Sequence, residues 1–171
     1  ETCKQLTEKL RSLITQGSVS PESRILFVDD GSKDHTWKLI EQYHQENTLI
    51  SGVKLAHNRG HQNALLAGLM AAKEYADCAI SLDADLQDDI QVLDEFLEKF
   101  RDGCDIVYGV RKNRDTDSAF KRGTAQGFYK FMKVLGVDLV YNHADYRLVS
   151  KRALEALAEY RETNLFLRRI V

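Results

Sequence analysis

The chain is predicted to be an α/β domain with a mainly parallel sheet covered by helices on both faces. Two observations predict it. Short apolar runs recur at Ile25–Val28, Ile50–Leu55, Cys78–Leu82 and Asp105–Tyr108, and stretches with apolar residues at helical spacing lie between them. Each run also ends in a polar cluster, so charge gathers just past the strands rather than inside them. In open α/β sheets the carboxyl ends of the strands are where ligands bind.

Taken in order, Leu6, Leu10, Leu13 and Ile14 have helical spacing, and Gly17 follows as a stop. After the Ile25–Val28 strand a helix is expected beyond Asp34, with Trp37, Ile40 and Tyr43 inward. Ile50–Leu55 reads as a strand, Asn63–Tyr75 as an alanine- and leucine-rich helix, and Cys78–Leu82 as the next strand. An amphipathic helix carries Ile90, Leu93, Phe96, Leu97 and Phe100 on one face, and the strand Asp105–Tyr108 follows. Arg111–Ser118 is polar and loop-like, Phe120–Leu135 has helical character, and His143–Ser150 is a short strand or ordered loop before a last helix at Lys151–Tyr160.

The 171 residues (1–171) fit a single domain with room for a substantial core, and 43% hydrophobic with 29% charged residues is ordinary for a soluble protein. A net charge of −2 argues against a nucleic-acid binder held by phosphate neutralisation. Cys3, Cys78 and Cys104 form no CxxC pair and point to a reduced, cytoplasmic setting, with Cys78 and Cys104 read as small apolar strand residues. No apolar run approaches the ~20 residues of a membrane span. Both ends look cut, because the chain starts directly in a helical pattern and stops on an apolar, basic segment, Leu165–Val171.

The chemistry lies in the clusters. Asp83-Ala84-Asp85 follows the third strand, and carboxylates at alternate positions on one turn suit Mg²⁺ or Mn²⁺, which leave sites open for phosphate oxygens. An acidic helix start is the other reading, and it accounts for Asp88 and Asp89 better than for Asp83. Asp29-Asp30-Gly31-Ser32 is either ligand-binding or plain turn chemistry. His57 and His61 have a zinc-like spacing, but Asn58 and Gly60 favour a loop and no third ligand is near, so zinc is not expected. Arg111, Lys112 and Arg114 are either phosphate contacts or a solvated loop. Asp145 and Arg147 flank Tyr146, and on residues alone a salt link within a strand is favoured. In a parallel sheet these loops converge on one edge, where carboxylates for a cation and arginines for phosphates suit a nucleotide diphosphate.

Several stretches together resemble the family 2 glycosyltransferases of the GT-A fold, and within them the polyprenyl-phosphate enzymes, the dolichol-phosphate mannose synthases and bactoprenol glucosyltransferases. The stretches are Val28–Asp34, Asn58–Ala64, Leu82–Asp88, Val107–Arg111, Ala144–Arg152 and Asn164–Arg168, in the family's order. The resemblance implies an inverting transfer of a hexose from a UDP- or GDP-sugar to an acceptor, most simply a polyprenyl phosphate. It assigns Asp83-Ala84-Asp85 to the DxD motif, with Mg²⁺ or Mn²⁺ held by Asp83, Asp85 and Gln87. Asp29 and Asp30 match the acidic pair near the nucleotide base, with Asp30 preferred for the base contact. Arg59 lies in the matching loop of the nucleotide-sugar site, and Arg111 matches a basic residue near a phosphate. Asp145 and Arg147 match the acceptor-side, catalytic positions, which raises Asp145 above a salt link.

The departures are also informative. The family's first strand, of Val-Pro-x-Tyr-Asn-Glu type, is absent, as are the prolines after Leu-Gln-Asp (here Asp89 and Ile90) and the Gly after Phe-Leu-Arg (here Arg169). The expectation is therefore a GT-A domain lacking its first strand, whose full-length relatives sit at the cytoplasmic face of a membrane. A catalytically weak or inactive remnant that binds or forms homo-oligomers through an open sheet edge is the alternative. A receiver-type signalling domain fits less well, since it needs one phospho-acceptor Asp and a Lys after the fifth strand, and an Asp-x-Asp pair and an Arg-rich loop stand instead.

Overall fold

The computed structural model describes residues 1–85, 87–110 and 143–159, with backbone alone for 110 and 143–145. Helix α1 (Thr2–Thr15) buries Leu6 and Leu13. It stops where the pattern places the stop. Gly17 takes φ 69°, Ser18 N–H donates to Leu13 O at 2.8 Å and Gly17 N–H to Ile14 O at 3.0 Å, a Schellman closure that favours glycine. Strand β1 (Ile25–Asp29), helix α2 (Thr36–Glu46), strand β2 (Ile50–Lys54), helix α3 (His61–Lys73) and strand β3 (Cys78–Ser81) follow. A 3-10 turn (Ile90–Val92) runs into helix α4 (Leu93–Arg101), and strands β4 (Ile106–Val110) and β5 (His143–Ser150) precede helix α5 (Lys151–Glu159).

Strands β1 and β2 are parallel, with Ile25 opposite Ile50 and Asp29 opposite Lys54. Strand β5 lies between β3 and β4 and is antiparallel to both. The run read as a short strand or ordered loop is thus an eight-residue strand at the centre of its sheet. Its burial follows period two. Tyr146 and Leu148 pack against Leu93, Phe96 and Leu97 of α4 and Leu13 of α1, whereas Val149 packs against Leu69 of α3 and Leu154 of α5. Ser150 then starts α5 without a loop, accepting Ala153 N–H at 3.1 Å as its cap and donating to Asp105 at 2.7 Å.

Strands β1 and β3 are not hydrogen-bonded to each other, although α3 packs on both. Gly68 of α3 lies so close to Val28 that a Cβ there would meet it at 2.7 Å. Residues Ile25–Val28 and Cys78–Ser81 are only half-buried, in contrast to Tyr146–Ser150. Among the described residues, β1–β2 and β3–β5–β4 form two separate sheets.

Smaller departures have simple causes. Helix α3 begins and ends two residues earlier than the sequence pattern suggests, with Gly60 (φ 85°) at its start and Tyr75 left 93% exposed. Cys104 is exposed in the turn before β4, whereas Cys78 is a half-buried strand residue as expected. The Arg111–Ser118 and Phe120–Leu135 expectations lie outside the described residues. Among the described residues, no helix is long and apolar enough to cross a membrane.

Candidate functional site

The loops after β1 and β2 are joined by carboxylates. Leu55 N–H donates to Asp29 O at 2.9 Å and closes the parallel pair. Asp29 is 2% exposed; its Oδ1 accepts Ser32 N–H at 2.9 Å, while its buried Oδ2 has no partner among the described residues. Asp30 reaches the neighbouring loop, where Oδ1 accepts Arg59 N–H at 2.7 Å and Oδ2 accepts Gly60 N–H at 2.9 Å. Gly31, at φ 69°, lets the loops touch, because a Cβ there would stand 2.6 Å from Asn58 N and from the His57 carbonyl carbon. The turn-chemistry reading of Asp29-Asp30-Gly31 therefore describes what these groups do to the backbone. It leaves further carboxylate lone pairs for a ligand. Arg59 is exposed beside them.

The acidic loop after β3 is built differently. Asp83 is half-buried, and Ala84, Asp85 and Gln87 are exposed. Asp85 Oδ1 accepts Gln87 N–H at 3.1 Å, a local turn that brings these two residues together. Thr2 Oγ1 of α1 donates to Ala84 O at 2.7 Å. Asp89 caps the 3-10 turn by accepting Gln91 N–H at 2.9 Å, and its carbonyl accepts the Tyr146 hydroxyl at 3.0 Å. The cap reading holds for Asp89. Asp88 departs from it, since it is 7% exposed and folded into the protein rather than lying on a solvated helix start.

Among the described residues, no three His, Cys, Asp or Glu side chains gather to hold a metal ion by themselves. The loop thus offers a pair of carboxylates and an amide. That donor set fits Mg²⁺ or Mn²⁺ completed by phosphate oxygens and water, and it does not fit a closed zinc site. His57 and His61 are both exposed.

Strand β5 carries the third group. Arg147 is 1% exposed, opposite Ser81 of β3 and Tyr108 of β4. Burial pushes the Tyr108 phenol up, with the Arg147 charge pulling the other way. Asp145 lies two residues earlier on the same strand, its backbone alone described, and Arg111 lies outside the described residues. Burial pushes the Cys78 thiol up to about 11, so it stays protonated at neutral pH and is no nucleophile.

The structure therefore joins Asp29, Asp30 and Arg59 through their loops, and places Asp83, Ala84, Asp85 and Gln87 on one loop beside β5. Two contributors escaped the sequence reading, Thr2 and Tyr146. Tyr146 had a usable signal, since it alternates with Leu148 on the core face and a buried tyrosine hydroxyl usually finds a partner.

The class of protein follows from comparison. The chain matches the model described as glycosyl transferase family 2 over residues 1–158 and belongs to that family. It is a glycosyltransferase by family, and its α/β architecture is consistent with the GT-A fold. Among individual relatives, it is 58% identical to the uncharacterized glycosyltransferase YkoT of Bacillus subtilis (strain 168) across all of this chain and 51% of that protein. It is 37% identical to the bactoprenol glucosyl transferase of Shigella phage SfV over 88% of this chain and 48% of that protein. The same identity holds for a prophage bactoprenol glucosyl transferase homolog of Escherichia coli (strain K12), over 89% of this chain and 49% of the relative. The chain spans about half the length of the curated relatives it matches.

Proposed function

We propose that this chain forms the donor-binding part of an inverting hexosyltransferase that uses a UDP- or GDP-sugar and a polyprenyl phosphate acceptor. The observation that carries the reading is the loop after β3, which holds carboxylates at alternate positions, half-buried Asp83 and exposed Asp85. The likeness to proteins named bactoprenol glucosyl transferase supports the lipid-phosphate acceptor. Such an acceptor brings the enzyme to the cytoplasmic face of a membrane, where nucleotide sugars are available.

Each group has a task in this reading. Asp29, with a buried oxygen that has no donor among the described residues, and Asp30 receive the N–H groups of the nucleotide base. Arg59 faces the phosphates, and Arg111 serves the same end. Asp83, Asp85 and Gln87 would hold Mg²⁺ or Mn²⁺, which supplies positive charge against the leaving diphosphate. Charge grows on that leaving group as the sugar becomes oxocarbenium-like, so cationic groups placed there favour the transition state over the ground state. A lipid phosphate oxygen is already anionic and needs no base, so Asp145 orients it. With a hydroxyl acceptor, Asp145 is the general base. Arg147, buried in the sheet, supports the strand that carries Asp145.

Calorimetry with UDP-glucose and GDP-mannose tests the proposal. Binding is expected to require Mn²⁺ or Mg²⁺ and to be lost in Asp85→Ala. Absence of binding with either metal overturns it in favour of a second reading, a weakly active protein that binds or self-associates. The edges of β1 and β3 that have no strand partner among the described residues, with their half-buried apolar residues, favour that second reading. Light scattering that detects a stable dimer without metal-dependent nucleotide binding would establish it.

A further inference from the structure

Two hydrogen bonds that tie the acidic loop to the rest of the protein differ in kind. Its outgoing limb is held by Thr2, through an exposed hydrogen bond to Ala84 O. Its returning limb is held by Tyr146, a side chain 5% exposed, whose hydroxyl donates to Asp89 O at 3.0 Å. The Tyr146 ring is itself fixed. Its centroid is 4.7 Å from that of Phe96, and it lies so close to Gly109 that a Cβ there would stand 2.8 Å from Tyr146 Cδ1. Burial, then the charges of Asp88 and Asp89, push the phenol well above its ordinary range, so it remains a donor at any working pH. Tyr146 also sits between Asp145 and Arg147 on β5, and its side chain packs on the face of the strand opposite to Val149.

We propose that Tyr146 is a positioning residue, its hydroxyl bond to Asp89 fixing the acidic loop against the strand that carries Asp145 and Arg147. The inference rests on the donor-site reading above. The metal-side carboxylates stand on a loop, and Asp145 stands on the central strand of its sheet. The buried bond from Tyr146 to Asp89 at the return of the loop bears on the spacing between the two. A transfer in line through the anomeric carbon tolerates little error in that spacing.

Two measurements on the full chain separate this role from plain packing. In Tyr146→Phe, hydrogen exchange over residues 83–89 is expected to accelerate without any ligand. The Mn²⁺ concentration that half-saturates UDP or GDP binding is expected to rise roughly five-fold, the size of one neutral hydrogen bond. Phe96→Leu, which loosens the same ring but keeps the hydroxyl, is expected to lower the melting temperature and leave the Mn²⁺ requirement within two-fold. Unchanged exchange in Tyr146→Phe overturns the tie, and equal effects of the two variants assign the role to packing and overturn it as well. If the wild-type chain binds neither nucleotide with Mn²⁺, the donor-site reading fails, and with it the positioning role, while exchange still reports whether the tie exists.

Discussion

The pair β1–β2 and the trio β3–β5–β4 hold their site loops by opposite means. In the pair, Ile25–Val28 of β1 are half-buried, and the loops are joined through backbone groups: Asp29 on Ser32 N–H, Asp30 on Arg59 and Gly60 N–H, and Gly31 against His57 and Asn58. In the trio, Tyr146–Ser150 of the central strand are buried, and Tyr146 bonds the acidic loop at Asp89 O. Backbone-directed hydrogen bonds join the loops of the pair, whereas a side-chain hydroxyl from the central strand meets the loop of the trio. Under the proposed function, recognition of a fixed base needs rigid donors and acceptors, whereas a cation shared with a diphosphate needs carboxylates that adjust as it arrives.

The contrast can be broken at its strongest point. Leu148, fully buried in β5, should cost about 3 kcal/mol as Leu148→Ala, the usual range for a cavity in a packed core. Leu26→Ala in the half-buried β1 should cost less than half of that, and urea unfolding followed by fluorescence compares them. Equal losses would mean that the two regions form one equally packed core.

Loop rigidity is tested next. Gly31→Ala drives a Cβ into backbone at 2.6 Å and adds strain at φ 69°, so about 2 kcal/mol or more is expected, together with loss of nucleotide binding. Gly17→Ala shares φ 69° but meets nothing within 4 Å, so it should cost about 1 kcal/mol and leave binding intact. Similar binding by the two variants would deny the lock between the loops.

The smallest effect concerns the base of β5. Asp105 accepts from Arg152 and Ser150, and these bonds, the Arg152 one first, hold its carboxyl below the usual carboxylate range. A depressed folded pKa gives stability that is present above the unfolded value of about 4 and lost as pH falls through the lower folded value. Asp105→Asn should therefore be slightly less stable than wild type at pH 7, the difference vanishing in acid, as thermal melts at pH 7 and pH 3 would reveal. A difference that persists at pH 3 would assign the effect to packing.

Much of this was legible in the residues. The stops at Gly17 and the cap at Asp89 are local chemistry, and the Leu93, Phe96 and Leu97 stripe is a local periodicity, so each was readable without knowledge of the fold. The direction of β5 was not. A strand buried on both faces has the same composition whether it runs parallel or antiparallel to its neighbours. Asp88 looked like Asp89 for a similar reason, since both are acids before a helix, and only the packing of the loop decided which was buried.

The sequence alone determined the alternation of elements, the grouping of charge at strand ends and the family, because these depend on spacing and residue type along the chain. Tertiary structure decided what the charges do to one another. Asp30 clasps a loop nearly thirty residues away, Arg147 lies inside a sheet, and Tyr146 suspends the acidic loop. Hydrogen bonds of this kind join groups distant in sequence, and their partners are set only when the strands have been placed side by side.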